Sequence, residues 1–188
     1  MPETYLAILI GIGLSAACGF RVFIPLLVIS LASASGHLNI SEEFSWISSN
    51  PAITALAVAA LFEVSSYFIP FVDNLMDTIA APAAVLAGSV ATASMITDLS
   101  PFMKWSLAII AGGGTAGIVQ STTMIARSSS SIFTAGMANP VISFVEACAS
   151  LSMSILAIVF PVIAFITVVI ILIYASRIIY SRFFYRKT

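Results

Sequence analysis

Residues 5–34 form one apolar run that contains a single charged side chain, Arg21. A water-soluble fold has little use for such a run, because about 20 consecutive apolar residues already span the hydrocarbon core of a bilayer. Similar runs follow at 52–69, 79–96, 105–126, 141–160 and 162–180. The spaces between them are short, and only 8% of the 188 residues are charged against 60% hydrophobic. A soluble domain carries about 25% charged residues. The chain is therefore read as an all-α polytopic membrane protein of about six transmembrane helices, with no room for a separate soluble domain.

Several function classes fall away at once. A net charge of −1 offers no basic stripe for a phosphate backbone, so nucleic acid is not an expected partner. Cys18 and Cys148 both sit in apolar runs, where a thiol packs as a small hydrophobe. No His-rich metal set and no nucleophile with a neighbouring base stands out, so neither an enzyme nor a cofactor is expected. The N-terminus carries Glu3 and no basic residue, unlike a cleavable secretory signal.

Orientation follows from the basic residues. Arg177, Arg182, Arg186 and Lys187 crowd the C-terminus, Arg127 falls on the same side of six spans, and Lys104 lies opposite. The positive-inside rule then places both termini in the cytoplasm of a bacterial inner membrane. Residues 35–50, with His37, Glu42 and Glu43, become an external loop. Trp46 and Trp105 mark span edges, and Arg127 with Ser128 to Ser131 reads as a cytoplasmic loop.

The two halves share an ordered set of short matches. Leu6-Ala7-Ile8-Leu9, then Gly11 and Gly13, parallels Leu107-Ala108-Ile109-Ile110, then Gly112 and Gly114. Asn50-Pro51 parallels Asn139-Pro140, and Ile69-Pro70 parallels Phe160-Pro161. The reading is a first three-helix repeat over 1–97 and a second, inverted, over 98–188, as in many secondary transporters. The first and fourth helices are expected to be interrupted, by Gly19 to Pro25 and by Gly112 to Gly117. Such breaks are tolerable at membrane depth where protein or a water-filled cavity satisfies the backbone.

The candidate binding residues are the polar groups that do not belong in lipid. Arg21 lies about 24 Å along a helix from Tyr5, near the far interface or in an interior cavity. Glu63 falls near mid-membrane, where a charge costs about 2.5–3.5 kcal/mol on insertion scales and marks an ion pathway or an internal pair. Asp73, Asn74 and Asp77 offer oxygen ligands of the type hard cations prefer, although three residues are not a full shell. Gln120 and Thr123 follow the glycine run. Asn139, Ser143 and Glu146 share one face of a helix, and Glu146 is placed to approach Gln120 and Thr123.

Four stretches, GFRVFIP, FEVSSYFIPFVDNLMDTIAAPAAVLAG, GGGTAGIVQSTTMIARSSSS and TAGMANPVISFVEA, resemble the bacterial and plant membrane proteins grouped as domain of unknown function 4126. The likeness spans nearly the whole chain except its basic tail. It implies a compact polytopic inner-membrane protein, with recurrent polar positions at Arg21, Glu63, Asp73, Asp77, Gln120, Arg127, Asn139 and Glu146. It brings no established substrate.

The leading expectation is a small secondary carrier or channel for an ion or small polar solute, coupled to a proton or cation through Glu63. Arg21 or the exposed amides of the glycine break would contact an anionic group, Gln120 and Thr123 would supply neutral hydrogen bonds, and Asp73 and Asp77 would gather cations at the cytoplasmic mouth. The lipid bilayer is the surrounding partner, and a homodimer would supply the walls that six short spans lack. The alternative is a non-transporting scaffold or assembly factor whose buried polar groups hold the bundle together.

Overall fold

A computed structural model describes residues 2–66, 70–134 and 139–184, with side chains over 3–66, 79–130 and 139–180. The described residues form eight α-helices: α1 (Pro2–Phe20), α2 (Phe23–Ala34), α3 (Asn50–Ser66), α4 (Pro70–Met95), α5 (Pro101–Leu107), α6 (Gly114–Thr134), α7 (Asn139–Val159) and α8 (Pro161–Phe184). A 3-10 turn, Glu42–Ser48, precedes α3, and a π-helical turn, Ala108–Gly113, joins α5 to α6 in one rod. Four helical stretches are long and apolar enough to cross a membrane, or five if the 3-10 turn and α3, bent by 66°, count as one. Large apolar side chains face outward on every side of them, including Leu61, Leu86, Ile110 and Ile170. The protein has the make-up of a multi-pass membrane protein.

α1 is the central helix. Leu14, Ser15, Ala16, Ala17 and Cys18 are fully buried, and α4, α6, α7 and α8 all pack on it. Without a hydrophobic drive between helices in lipid, such packing relies on small residues that let backbones approach. A Cβ added at Gly19 would meet the Ala116 carbonyl at 2.7 Å, and one added at Gly88 would meet Ala116 Cβ at 2.6 Å. Hydroxyls bind the same seams: Thr92 Oγ1 donates to the Gly11 carbonyl at 3.1 Å, and Ser15 Oγ donates to the Gly112 carbonyl inside the π turn. The glycine run therefore does not interrupt the fourth apolar segment as expected. It widens one turn of a continuous helix so that α1 and α4 can lie against it.

The first apolar run does break, and more sharply than expected. Pro25 lacks an amide, and in a continuing helix its ring would strike the carbonyl of Arg21. α1 ends with Arg21 N donating to the Ala17 carbonyl at 3.1 Å, and α2 starts at Phe23. α2 then runs back along the bundle. Its last turns meet the 3-10 turn through the Ser48 to Ser33 hydroxyl bond at 2.7 Å, and Ser41 N beyond them donates to the Ser94 carbonyl at 2.8 Å. That end of the bundle also holds Thr4 on Asp98 and Lys104 on Glu43. The run 5–34 is a helical hairpin rather than one span.

Contacts fix the direction of the remaining helices. α3 starts where Ser49 Oγ accepts from Ala52 N at 3.4 Å, so Ser49 rather than Asn50 caps it, and α3 climbs until Glu63 reaches Val22. α4 descends, with the Cβ side of Gly88 against Ser15 and that of Gly11 against Thr92. The α5–α6 rod ascends beside α1, Gly112 lying level with Ser15 and Val119 with Gly19. α7 descends, Glu146 lying at Arg21, Ser150 at Ala17 and Ala157 at Gly13. α8 ascends from Ala164 beside Gly13 to Ile179, which lines a groove with Pro82 and Ser121. Phe160-Pro161 is therefore a reversal between two helices.

Two expectations change with these directions. α1 and α6 run side by side the same way, whereas an inverted copy of a three-helix unit would oppose them. No repeat architecture emerges, although α3 and α7, the other matched pair, do run oppositely. The start of α1 and the end of α8 lie at opposite ends of the bundle, which differs from the expected placement of both termini together. The turn between α1 and α2, which sends the chain back along the bundle, is the reason.

Candidate functional site

The α1–α2 break leaves the first amides of α2 without the carbonyls a continuous helix would supply. Glu63, carried on α3, accepts both: Val22 N donates to Oε1 at 2.7 Å and Phe23 N to Oε2 at 3.0 Å. A carboxylate is well suited to this place, because the N-terminal end of a helix carries partial positive charge. Glu63 is 8% exposed. Glu63, expected as a carboxylate of an ion pathway or an internal pair, is buried, and its two oxygens serve a helix start.

Arg21, at the same break, turns the other way into α7. Its Nη2 donates to the Ser143 carbonyl at 3.0 Å, to Ser143 Oγ at 2.7 Å and to Glu146 Oε2 at 3.0 Å. The side chain is 1% exposed. Helical spacing explains the meeting: Ser143, Glu146, Ser150, Met153, Ser154 and Ala157 recur every three or four residues and form the buried face of α7 against α1.

Arg127 closes the cluster from α6. Its Nε donates to Glu146 Oε1 at 3.0 Å and its Nη2 to Glu146 Oε2, a two-point fork. Glu146 Oε2 is therefore shared by two guanidinium groups. The expectation of a loop at Arg127 is overturned: it lies within α6 and is 5% exposed. A signal for it was present in the spacing, since Gln120, Thr123 and Arg127 fall on one helical face and all three are buried. The serines that follow disguised it as loop.

Gln120 and Thr123 lie buried on this face below Arg127. Thr123 Oγ1 donates to the Gln120 carbonyl at 2.9 Å. Asn139 starts α7, five residues past the last described residue of α6. Asp73, Asn74 and Asp77 stand in the first turns of α4, and their side chains lie outside the described residues. The structure thus gathers Arg21, Glu63, Arg127, Ser143 and Glu146 at one end of the bundle, drawn from the α1–α2 break, α3, α6 and α7.

At the other end, Lys104 is buried on the 3-10 turn. Its Nζ donates to Glu43 Oε2 at 2.8 Å and to Ser41 Oγ at 3.3 Å, and lies 5.6 Å from the centre of the Phe44 ring. Phe44 in turn leans on Trp105, ring centres 6.1 Å apart. His37 is exposed beyond it, as expected of a loop residue. This end reads as a fastening of the 35–50 segment onto α5.

Buried charge at this density is costly unless paired. Removing one member of a buried pair destabilises a protein by about 3–5 kcal/mol, because its partner stays behind uncompensated. The triad of Arg21, Glu146 and Arg127 is paired in this way, and with Ser143 it can seat a carboxyl group between two guanidinium groups.

The chain belongs to the family described as Domain of unknown function (DUF4126), whose family model matches residues 8–181. Neither the curated proteins nor the solved structures contain a match to it.

Proposed function

We propose that the protein is a small carrier or channel for an ion or small polar solute, with its site at the Arg21–Glu146–Arg127 cluster. The observation that carries the reading is the sharing of Glu146 Oε2 by two arginines inside a bundle of apolar helices. Ionisable groups within a membrane domain are rare and mark pathways or exchange sites. Glu146 takes the role of exchanging carboxylate that the sequence suggested for Glu63. The engagement of both Glu63 oxygens with backbone amides supports the change.

In the bilayer of a bacterial inner membrane, the end bearing Arg127 and the last turns of α8 faces the cytoplasm and the end bearing Lys104 and the start of α1 faces outward. The positive-inside rule supports this orientation, since Arg127 and Arg177 belong to the first end. Asp73 and Asp77, early in α4, belong to the same cytoplasmic end and gather cations there. A second copy of the chain would extend the walls around the cluster.

The test is flux through purified protein in liposomes, screening protons, alkali and divalent cations and small anions. The reading expects a flux that Arg127→Gln abolishes. Absence of flux for every solute in folded protein would refute it.

A second reading, a scaffold or assembly factor, draws on the same Glu63 geometry: a carboxylate that caps α2 holds the bundle together without moving anything. It expects Glu63→Gln and Arg127→Gln to lower stability in protein that conducts nothing.

A further inference from the structure

The Glu146 carboxylate occupies a place built for an anion. Arg127 meets it with a planar fork, Nε on Oε1 at 3.0 Å and Nη2 on Oε2, and Arg21 Nη2 approaches Oε2 from the opposite helix at 3.0 Å. Two planar oxygens held by two guanidinium groups match the recognition geometry of a free carboxylate or another trigonal oxyanion. Around the seat, Ser143 Oγ, which accepts from Arg21, carries its own hydroxyl proton. Thr123 and Gln120 lie on the Arg127 face of α6, buried and one to two turns away.

We propose that Glu146 is an internal substitute for the solute: a small planar monovalent oxyanion takes its seat between Arg21 and Arg127 when Glu146 gains a proton and withdraws. This deepens the reading of the protein as a carrier and rests on it. The charges balance. With Glu146 ionised, an incoming anion meets a like charge beside the two arginines. With the proton on Glu146, the same two arginines receive one negative charge from the anion, and anion and proton move together without net charge.

The seat selects by shape as well as charge. A spherical anion such as chloride engages the Arg127 fork through one point, whereas nitrate presents two coplanar oxygens as the carboxylate does. The depth of the seat, at side chains 1–6% exposed, suits a group the size of a carboxylate rather than a lipid headgroup.

The ionisable groups facing the seat are few among the described residues. The α1–α2 break contributes Arg21 and α1, a turn below, Cys18; α6 contributes Arg127; α3 contributes Glu63 at the same break; α2 contributes none. On α8, Tyr174, Arg177 and Tyr180 are exposed. Cys148, on α7 itself, is also exposed. Among the described residues, Glu146 is the carboxylate in direct contact with both arginines.

Nitrate and chloride are the probes, because as anions of strong acids they carry no proton across lipid unaided. Nitrate binding to purified wild-type protein in neutral detergent is measured across pH. Because only protein with the seat vacated is competent to bind, apparent affinity falls as pH rises. In Glu146→Gln, nitrate binding becomes independent of pH, and nitrate raises the unfolding temperature more than chloride does. Wild-type nitrate affinity that is flat with pH, or equal for chloride, overturns the proposal; if Glu146→Gln does not fold, the wild-type pH series decides alone. Flux in phosphatidylcholine vesicles separates the two levels. Nitrate binding of the expected pH form without flux of any solute leaves the seat standing and removes the carrier, whereas cation flux with no nitrate binding keeps the carrier and removes the seat.

Discussion

Replacing Glu63 with Gln tests the turn that sets the whole helix order. In the native arrangement two backbone amides, Val22 N and Phe23 N, each donate to a separate oxygen of the Glu63 carboxyl group, at 2.7 and 3.0 Å. Gln keeps one carbonyl oxygen and presents an NH2 group where the second oxygen was, so one buried amide loses its acceptor. A hydrogen bond to a charged group contributes about 1.5–3 kcal/mol, and the surviving bond, now neutral, is roughly half as strong. The loss comes to about 2–4 kcal/mol, which for a chain of this size lowers the unfolding temperature by roughly 5–15 °C. Glu63→Leu removes both acceptors and costs more, about 3–6 kcal/mol. The assay is thermal unfolding of purified protein in detergent, read beside flux across pH. Glu63→Gln is expected to lose stability while the pH profile of any flux keeps its wild-type form. A Gln variant as stable as wild type would refute the capping argument, and one of normal stability with its pH profile abolished would return the coupling role to Glu63.

Other outcomes follow from the same packing. Gly19→Leu forces a side chain into Val119 and the Ala116 carbonyl and should cost about 1–3 kcal/mol or more through overpacking, seen as a lowered yield of folded protein. Gly114→Ala is its control: that position has open space in a helix, so the change should be neutral or stabilise by up to about 1 kcal/mol in the same unfolding assay. Glu43→Gln should shift stability by less than about 1 kcal/mol, because the Glu43 side chain is 59% exposed although its partner Lys104 is buried. Reporter fusions at the two termini should register opposite compartments, and signals from the same compartment would contradict the reversal at Arg21–Val22.

The membrane character and most helix positions were legible in the apolar runs alone. The α1–α2 hairpin was not, because the turn at Arg21–Val22 contains none of Gly, Asn or Asp, and its stabilising partner, Glu63, is 41 residues away. The sequence clue that mattered was Pro25, whose steric demand acts four residues upstream. The glycine run misled in the opposite sense. Gly112 to Gly117 reads as a helix breaker locally, yet α1 and α4 press on the Gly112 side of it, and contacts from remote helices decide between break and close packing.

The duplicated motifs carried less than their order suggested. Asn-Pro and Pro at helix starts recur for local reasons, since Pro suits the first turn and reversals between helices need a stop. They therefore repeat without imposing an inverted architecture. At the candidate site, Glu146 and Arg21 stood out as charges in apolar surroundings, and the structure joins them. Arg127 was hidden by its serine-rich surroundings, although a buried polar stripe through Gln120 and Thr123 points straight to it.

The most direct test of the central claim is flux through wild-type and Arg127→Gln protein reconstituted in liposomes, with the unfolding temperature of each measured on the same preparation. The account predicts a solute flux in the wild type that is lost in the variant even in the fraction that remains folded. Folded wild-type protein that moves none of the ions or small solutes offered, with a variant that is merely less stable, would contradict it.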